Sequence, residues 1–431
     1  MKKKEFIKRR DAFCKGIKVD SFALMAAGEA PYKGKDQVYP FFVNRNFFYL
    51  TGLEREKFIL LLLKNGNTHF EYLFIEESSD FATKWIGSKM TKEAASEISG
   101  IAIKNIHYLS DFNSFMANRV LLDSRHTISS VPRKMYIDLF REYLMVKPNS
   151  LNIFKKIIDT YPELKIKDAT LVLDDIRRVK SEAEIKEIQT AIDYTNEGIR
   201  AMMKKVEPNM NERELEALFA YKIKVAGSSG NSFNTITASG KNATVLHYEE
   251  NDSNLEDNTL VLNDLGALSN QYAADITRTF PVNGKFSKRQ AEFYGLVLSV
   301  NKKIISLVKP GIMLDELNKI AFDLLAEGMI KLGKIKEKSE VIKYYYHSIG
   351  HYLGLDVHDV GSYTKKLEPG VVITVEPGIY VEEEGIGIRI EDDVLVTKDG
   401  YINLSKDIIK EIVEIEEYMK KWYNELYWRK Y

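Results

Sequence analysis

A repeat constrains the fold of this chain more than any other feature. The stretch "VEPNMNERELEALFAYKIKVAG" at 206–227 can be laid on "VKPGIMLDELNKIAFDLLAEG" at 308–328, with one gap. Val, Pro, Glu-Leu and a closing Gly match at an offset near a hundred residues. Two copies are too few for a solenoid, so the spacing predicts a duplicated half-domain with pseudo-twofold symmetry. Each copy is followed by strand-like runs, 259–280 after the first and 371–397 after the second. Two helical pairs covering one mostly antiparallel sheet give an α+β layer architecture.

Helix signals support that frame. Ser181 and Glu184 form a capping-box pattern ahead of Ile185, Ile188, Ile192, Ile199 and Met202 at helical spacing. Asn211 and Glu214 open a second helix that stops at Gly227, and Ser287 with Gln290 opens a third. Before 169 the pattern changes. Apolar runs ("KFILLLL", "FEYLFIE", "VLLDS") alternate with helix-like stretches such as 133–146, which predicts a smaller α/β domain over 1–168. "DTYPELKIKDA" reads as a connector into a second domain, 169–431. At 431 residues, two domains are also what chain length favours.

Composition excludes several classes. Lysines and arginines balance aspartates and glutamates at 62 each, so nothing points to nucleic acid or an acidic membrane surface. The basic N-terminus has no apolar segment or small-residue cleavage site, and no apolar run reaches the ~18 residues of a membrane span. A single cysteine, Cys14, excludes an internal disulfide. The expected address is the cytoplasm.

Asp264 in "LVLNDLGA" and Asp275 in "ADITRTFP" are acids placed in apolar, strand-forming runs, where Asp is disfavoured. A hairpin turning at Ser269-Asn270 would set them directly opposite one another, and like charges so placed repel. Glu376 and Glu391 repeat the arrangement about a hairpin centred on Glu383-Glu384, with Pro377 a potential disturbance. A divalent cation between such carboxylates removes the conflict, and four carboxylates can bridge two cations. Histidines cluster in the same half of the chain: His347, His351 and His358 in "YYYHSIGHYLGLDVHDVG", with His247 upstream. One imidazole among four carboxylates is a mainly oxygen site, suited to Mn²⁺ or a similar first-row ion. Two cations of that kind support hydrolysis of an amide, with spare histidines to donate to an oxyanion or protonate a departing nitrogen.

These residues stand in segments that resemble the Xaa-Pro aminopeptidases (aminopeptidase P) of the pita-bread metallopeptidase family: "VLNDLGA", "YAADITRTFPVNGKFS", "VLHYEEN", "HSIGHYLGLDVHDVG", "EPGVVITVEPGIY" and "GIGIRIEDDVLVT". They run in family order over about 180–400, and "YPFFVNRNFFYLTGLE" (39–54) is similar to the family's amino-terminal domain. The resemblance implies a pita-bread catalytic domain and a dinuclear manganese-type centre with Asp264, Asp275, His351, Glu376 and Glu391 as ligands. Asp275 and Glu391 would bridge, around a metal-bridged hydroxide. It further implies that Glu376 shuttles a proton, that His247 and His358 hold substrate, that His347 and Arg389 sit beside the metals, and that Tyr380 lines a proline pocket. Short peptides with proline second would be the substrates, and a homodimer or homotetramer the assembly. The amino-terminal domain would restrict access to the cleft, with Trp85 either reaching a neighbouring subunit or buried in its own. Asn263 departs from the aliphatic residue usual before the first ligand; it should point away from the metals. Prolidase, which shares fold and metals, is the alternative reading, and a non-catalytic pita-bread binding module is a more remote one that normally lacks ligands.

Overall fold

The computed structural model describes residues 1–123, 125–141 and 145–429. It divides into two compact units, Met1–Arg177 and Arg178–Tyr431. The boundary lies beyond the 168/169 position read from the sequence, because the strand Lys165–Asp168 and most of the helix Thr170–Arg178 belong to the first unit.

The first unit is built on one six-stranded mixed sheet. Its order is Ile106–Tyr108, Thr68–Ile75, Ile59–Asn65, Ser21–Ala26, Lys134–Ile137 and Lys165–Asp168. The three central strands pair antiparallel, and the flanking ones join parallel. Alternate residues (Phe22 and Leu24, Leu61 and Leu63, Met135 and Ile137) share one hydrophobic core, as the two-residue period of strands requires. Three sequence expectations change here. Residues 134–137 of the stretch read as a helix form a strand paired on both sides; Met135, Tyr136 and Ile137 are buried in succession, so the run carries no period of two to separate it from a helix. Positions 142–144 of that stretch lie outside the described residues. The connector contributes an edge strand, and "VLLDS" begins in a helical turn, Met116–Leu121. Trp85 is 75% exposed and lies 6.0 Å from Phe81, so it is not a buried structural residue.

The second unit contains the repeat. Helices Glu182–Lys205 and Glu212–Ala226 form one pair, and Lys288–Leu307 and Leu314–Lys331 the other. All three capping boxes form as spaced, with reciprocal hydrogen bonds at Ser181/Glu184, Asn211/Glu214 and Ser287/Gln290. The two copies agree in backbone detail. Val206 and Val308 each cap the preceding helix, while Asn209 and Gly311 both turn through positive φ, 73° and 92°. The closing glycines differ. Gly227 ends its helix in the left-handed region, but Gly328 lies inside a helix that continues to Lys331, where a Cβ would meet Leu296 at 2.1 Å. It is a close-packing position between paired helices.

Every strand pairing of this unit is antiparallel. Leu260–Leu265 lies between Ile236–Ser239 and Ile276–Pro281; Asp392–Val396 lies between Val372–Val375 and Tyr401–Asn403; Gly378–Val381 pairs with Ile386–Arg389.

Candidate metal centre

The first carboxylate pair is in a different register from the one expected. Leu260–Leu265 and Ile276–Pro281 pair so that Asp264 faces Thr277 rather than Asp275. The turn is at Asn270-Gln271, both residues at positive φ (43° and 69°), which suits a tight two-residue hairpin. A slip of two residues preserves the side-chain alternation, so Asp264 and Asp275 still share a face. Asp275 itself sits in a break between two ladders, where its N–H donates to Asp393 Oδ2 at 3.2 Å.

The second pair is where the sequence put it. The ladders Val372–Val375/Asp392–Val396 and Gly378–Val381/Ile386–Arg389 share one register, which sets Glu376 against Glu391. Pro377 interrupts the ladder, having no N–H to donate, but its carbonyl accepts from Ile390 N–H at 3.3 Å and the alignment is kept. Strand alternation then gathers Thr374, Glu376, Tyr380, Arg389 and Glu391 on one face.

His351 reaches this face from the glycine-bordered loop. Its N–H donates to Thr374 Oγ1 at 3.1 Å, and its O accepts from Thr374 N–H at 2.9 Å. Nδ1 lies 3.0 Å from the Tyr352 carbonyl, which can only accept, so Nδ1 carries the proton and Nε2 presents its lone pair. Nε2 lies 3.3 Å from Asp275 Oδ2 and 3.6 Å from Glu376 Oε1. Ligand atoms of Asp275, His351 and Glu391 all fall within 4.8 Å of one another.

Arg389 closes the other side. Its guanidinium donates to Asp264 Oδ2 at 2.6 Å, Thr277 Oγ1 at 3.1 Å and Tyr380 Oη at 2.8 Å. Thr277 Oγ1 itself donates to Glu391 Oε2 at 2.7 Å, and Tyr380 Oη lies 2.9 Å from His347 Nε2. His347 Nδ1 donates to the Ser348 carbonyl at 2.8 Å, so its Nε2 is the acceptor and Tyr380 Oη the donor to it. His247 and His358 are solvent-exposed, and the His358 ring centroid is 4.1 Å from that of His351.

Four carboxylates against one guanidinium leave an excess of negative charge in a buried place. Burial first, then the neighbouring acids, push Asp275 and Glu391 well above the usual carboxylate range. Burial raises Glu376 to about 8 despite Arg389. His351 is held near 4 by burial and by His358, and His347 near 4 by burial and Arg389. Buried Asp264 Oδ1 and Glu391 Oε1 have no hydrogen-bond partner among the described residues. Unpartnered carboxylate oxygens, strained acids and neutral imidazole together fit divalent cations with oxygen-rich coordination.

Sequence reasoning missed Thr277, Thr374 and Asp393. Each stands two residues from a named acid, so strand alternation applied to Asp275, Glu376 and Glu391 finds them.

Residues 186–398 match metallopeptidase family M24, and residues 6–128 match the aminopeptidase P N-terminal domain. The Xaa-Pro aminopeptidase of Haemophilus influenzae is 35% identical, over 97% of each chain. The chain belongs to the Xaa-Pro aminopeptidases of family M24. A solved structure from Bacillus anthracis, provisionally assigned as an aminopeptidase P, is 44% identical with a TM-score of 0.93 over 98% of this chain and 99% of its own. Escherichia coli aminopeptidase P, solved with the inhibitor Pro-Leu, superposes with a TM-score of 0.88 at 31% identity, over 98% of this chain and 99% of its own. The family's pita-bread architecture and amino-terminal domain are thus those of this metallo-aminopeptidase.

Proposed function

We propose that this enzyme removes the N-terminal residue from short peptides with proline second, preferring tripeptides and longer substrates to Xaa-Pro dipeptides. The observation that carries the chemistry is the buried convergence of Asp275, His351 and Glu391 beside Glu376. Asp264, Asp275, His351, Glu376 and Glu391 would hold two divalent ions, and the oxygen-rich donor set favours Mn²⁺. Such ions activate a water and polarise the scissile carbonyl.

The chain's own residues do the rest. Glu376, whose Oε1 lies 3.6 Å from His351 Nε2, takes the proton of the attacking water and delivers it to the proline nitrogen as that nitrogen departs. His247 and His358 hold the substrate and donate to the oxyanion. His347, Tyr380 and Arg389 form one hydrogen-bonded wall that holds the ring of the second residue. Proline makes the scissile bond a tertiary amide without an N–H, so selection falls to the ring rather than to an amide donor. The complete set of five ligand residues argues against a non-catalytic binding module. No described helix is long and apolar enough to cross a membrane, and the charge balance offers nothing to nucleic acid. The reading extends to a cytoplasmic homodimer or homotetramer.

The test is hydrolysis of an Xaa-Pro-Yaa tripeptide, the Xaa-Pro dipeptide and a proline-free control, after chelation and restoration with Mn²⁺. Manganese-dependent cleavage of the tripeptide, with the dipeptide much slower, is expected. A dipeptide preference would make the enzyme a prolidase, and no cleavage with metal bound would sink the Xaa-Pro reading.

A further inference from the structure

Glu212 opens the second helix of the first pair and is fully buried. No cation pairs with it in any described salt bridge; its carboxylate is instead saturated by donors. Oε1 accepts from Ser239 N–H and Ser239 Oγ, both at 2.7 Å, and from Asn242 Nδ2 at 3.2 Å. Oε2 accepts from Tyr248 Oη at 2.9 Å and Ser253 N–H at 3.0 Å. The Glu212 N–H also donates to the Ser253 carbonyl at 2.9 Å. One side chain thus ties both ends of the segment 239–253, in the manner of a compact loop whose ends meet. It also holds Tyr248, the residue next to His247. In the other half of the repeat the corresponding position is Leu314, buried and apolar, so the carboxylate is particular to the half that carries this loop.

We propose that Glu212 is a positioning residue for His247, acting by closing the base of the loop that presents it. This rests on the reading of His247 as a substrate-holding residue. His247 is itself exposed, and its loop reaches the centre at Thr244, whose carbonyl accepts from Tyr346 Oη at 2.8 Å, one residue from His347. A catalytic group displaced by about 1 Å can lose about 100-fold in rate, which makes the anchoring of this loop consequential.

The test uses the Mn²⁺-restored full chain and an Xaa-Pro-Yaa tripeptide. Glu212→Gln keeps the size but puts an amide against donors, and Tyr248→Phe removes only the hydroxyl. Each is expected to lower kcat/KM by about 10- to 100-fold, with Mn²⁺ binding by calorimetry unchanged and amide exchange over 240–254 accelerated. Introduced into His247→Ala, the same changes should alter kcat/KM by less than about twofold, since a positioning effect vanishes when its object is gone. Equal losses in both backgrounds, or unchanged exchange in both variants, would overturn the proposal. Should Glu212→Gln fail to fold, Tyr248→Phe still decides. Wild-type kcat/KM in His247→Ala alone would refute the role of His247, leaving the exchange rates to judge loop closure by Glu212 separately.

Discussion

Asn263 and Asp264 are neighbours on one strand with opposite duties. Asp264 faces Arg389, while Asn263 lies on the other face of the ladder, wholly buried, as its position one residue before Asp264 on the strand predicts. The Asn263 amide is only half satisfied: Nδ2 donates to the Val261 carbonyl at 3.3 Å, and buried Oδ1 has no hydrogen-bond partner among the described residues. A buried polar atom left unpaired is costly, and replacing it with an apolar group of similar shape removes that cost. Asn263→Val should therefore stabilise the protein by about 1 kcal/mol, seen as a higher urea midpoint with kcat unaltered. A lower midpoint would show that the amide is satisfied in solution.

Between elements, the decisive connection runs through Arg278. This guanidinium is fully buried and uses all five of its N–H groups. Nε donates to Ile409 O; Nη1 donates to Thr277 O and Glu391 O; Nη2 donates to Asp392 Oδ1 and Ile408 O. Lys410 adds a second cation at Asp392 Oδ2, 2.5 Å away. Against the effect of burial, these two cations hold the Asp392 carboxyl below its usual range. The network joins a strand of the first half, a strand of the second half and the segment leading to the helix Ile412–Arg429, directly behind Thr277 and Glu391. Arg278→Met should cost about 3–5 kcal/mol, the usual penalty for breaking a buried ion pair, and should weaken Mn²⁺ binding because the Glu391 backbone loses its tie. Denaturant unfolding and calorimetric titration measure the two effects. Normal metal affinity in a destabilised variant would restrict Arg278 to folding.

For the molecule as a whole, the uncompensated acids of the centre set the pH dependence of the metal-free state. Glu376 moves from 4.5 to about 8, and Asp275 and Glu391 move in the same direction. The folded chain then retains protons that the unfolded chain has released, so their contribution to stability falls as pH rises from about 4.5 to about 8. Chelator-treated wild type should lose Tm between pH 5 and pH 8 relative to Glu376→Gln. Added Mn²⁺ should restore more at pH 8, with proton release on binding. A wild-type Tm that rises over this window relative to Glu376→Gln would contradict the assignment of these acids as a strained cluster.

How much of this was legible in the chain alone depends on the range of the interaction. Capping boxes, the duplicated helix pairs and the alternation of the acids are local patterns, each encoded within a turn or a strand, and they appeared as read. The Glu376/Glu391 register was legible because one alignment runs continuously through both ladders. The Asp264/Asp275 register was not, since it depends on which residues of 268–273 accept positive φ in the turn. The strand at 134–137 was hidden because a run buried between two neighbours shows no period. The sequence by itself determined which residue types could form an oxygen-rich centre, and strand alternation determined their common face. Only the tertiary structure decided that Arg278 and Glu212 would support them, because a hydrogen bond between residues more than a hundred positions apart, or across a loop closed on one carboxylate, leaves no spacing to read.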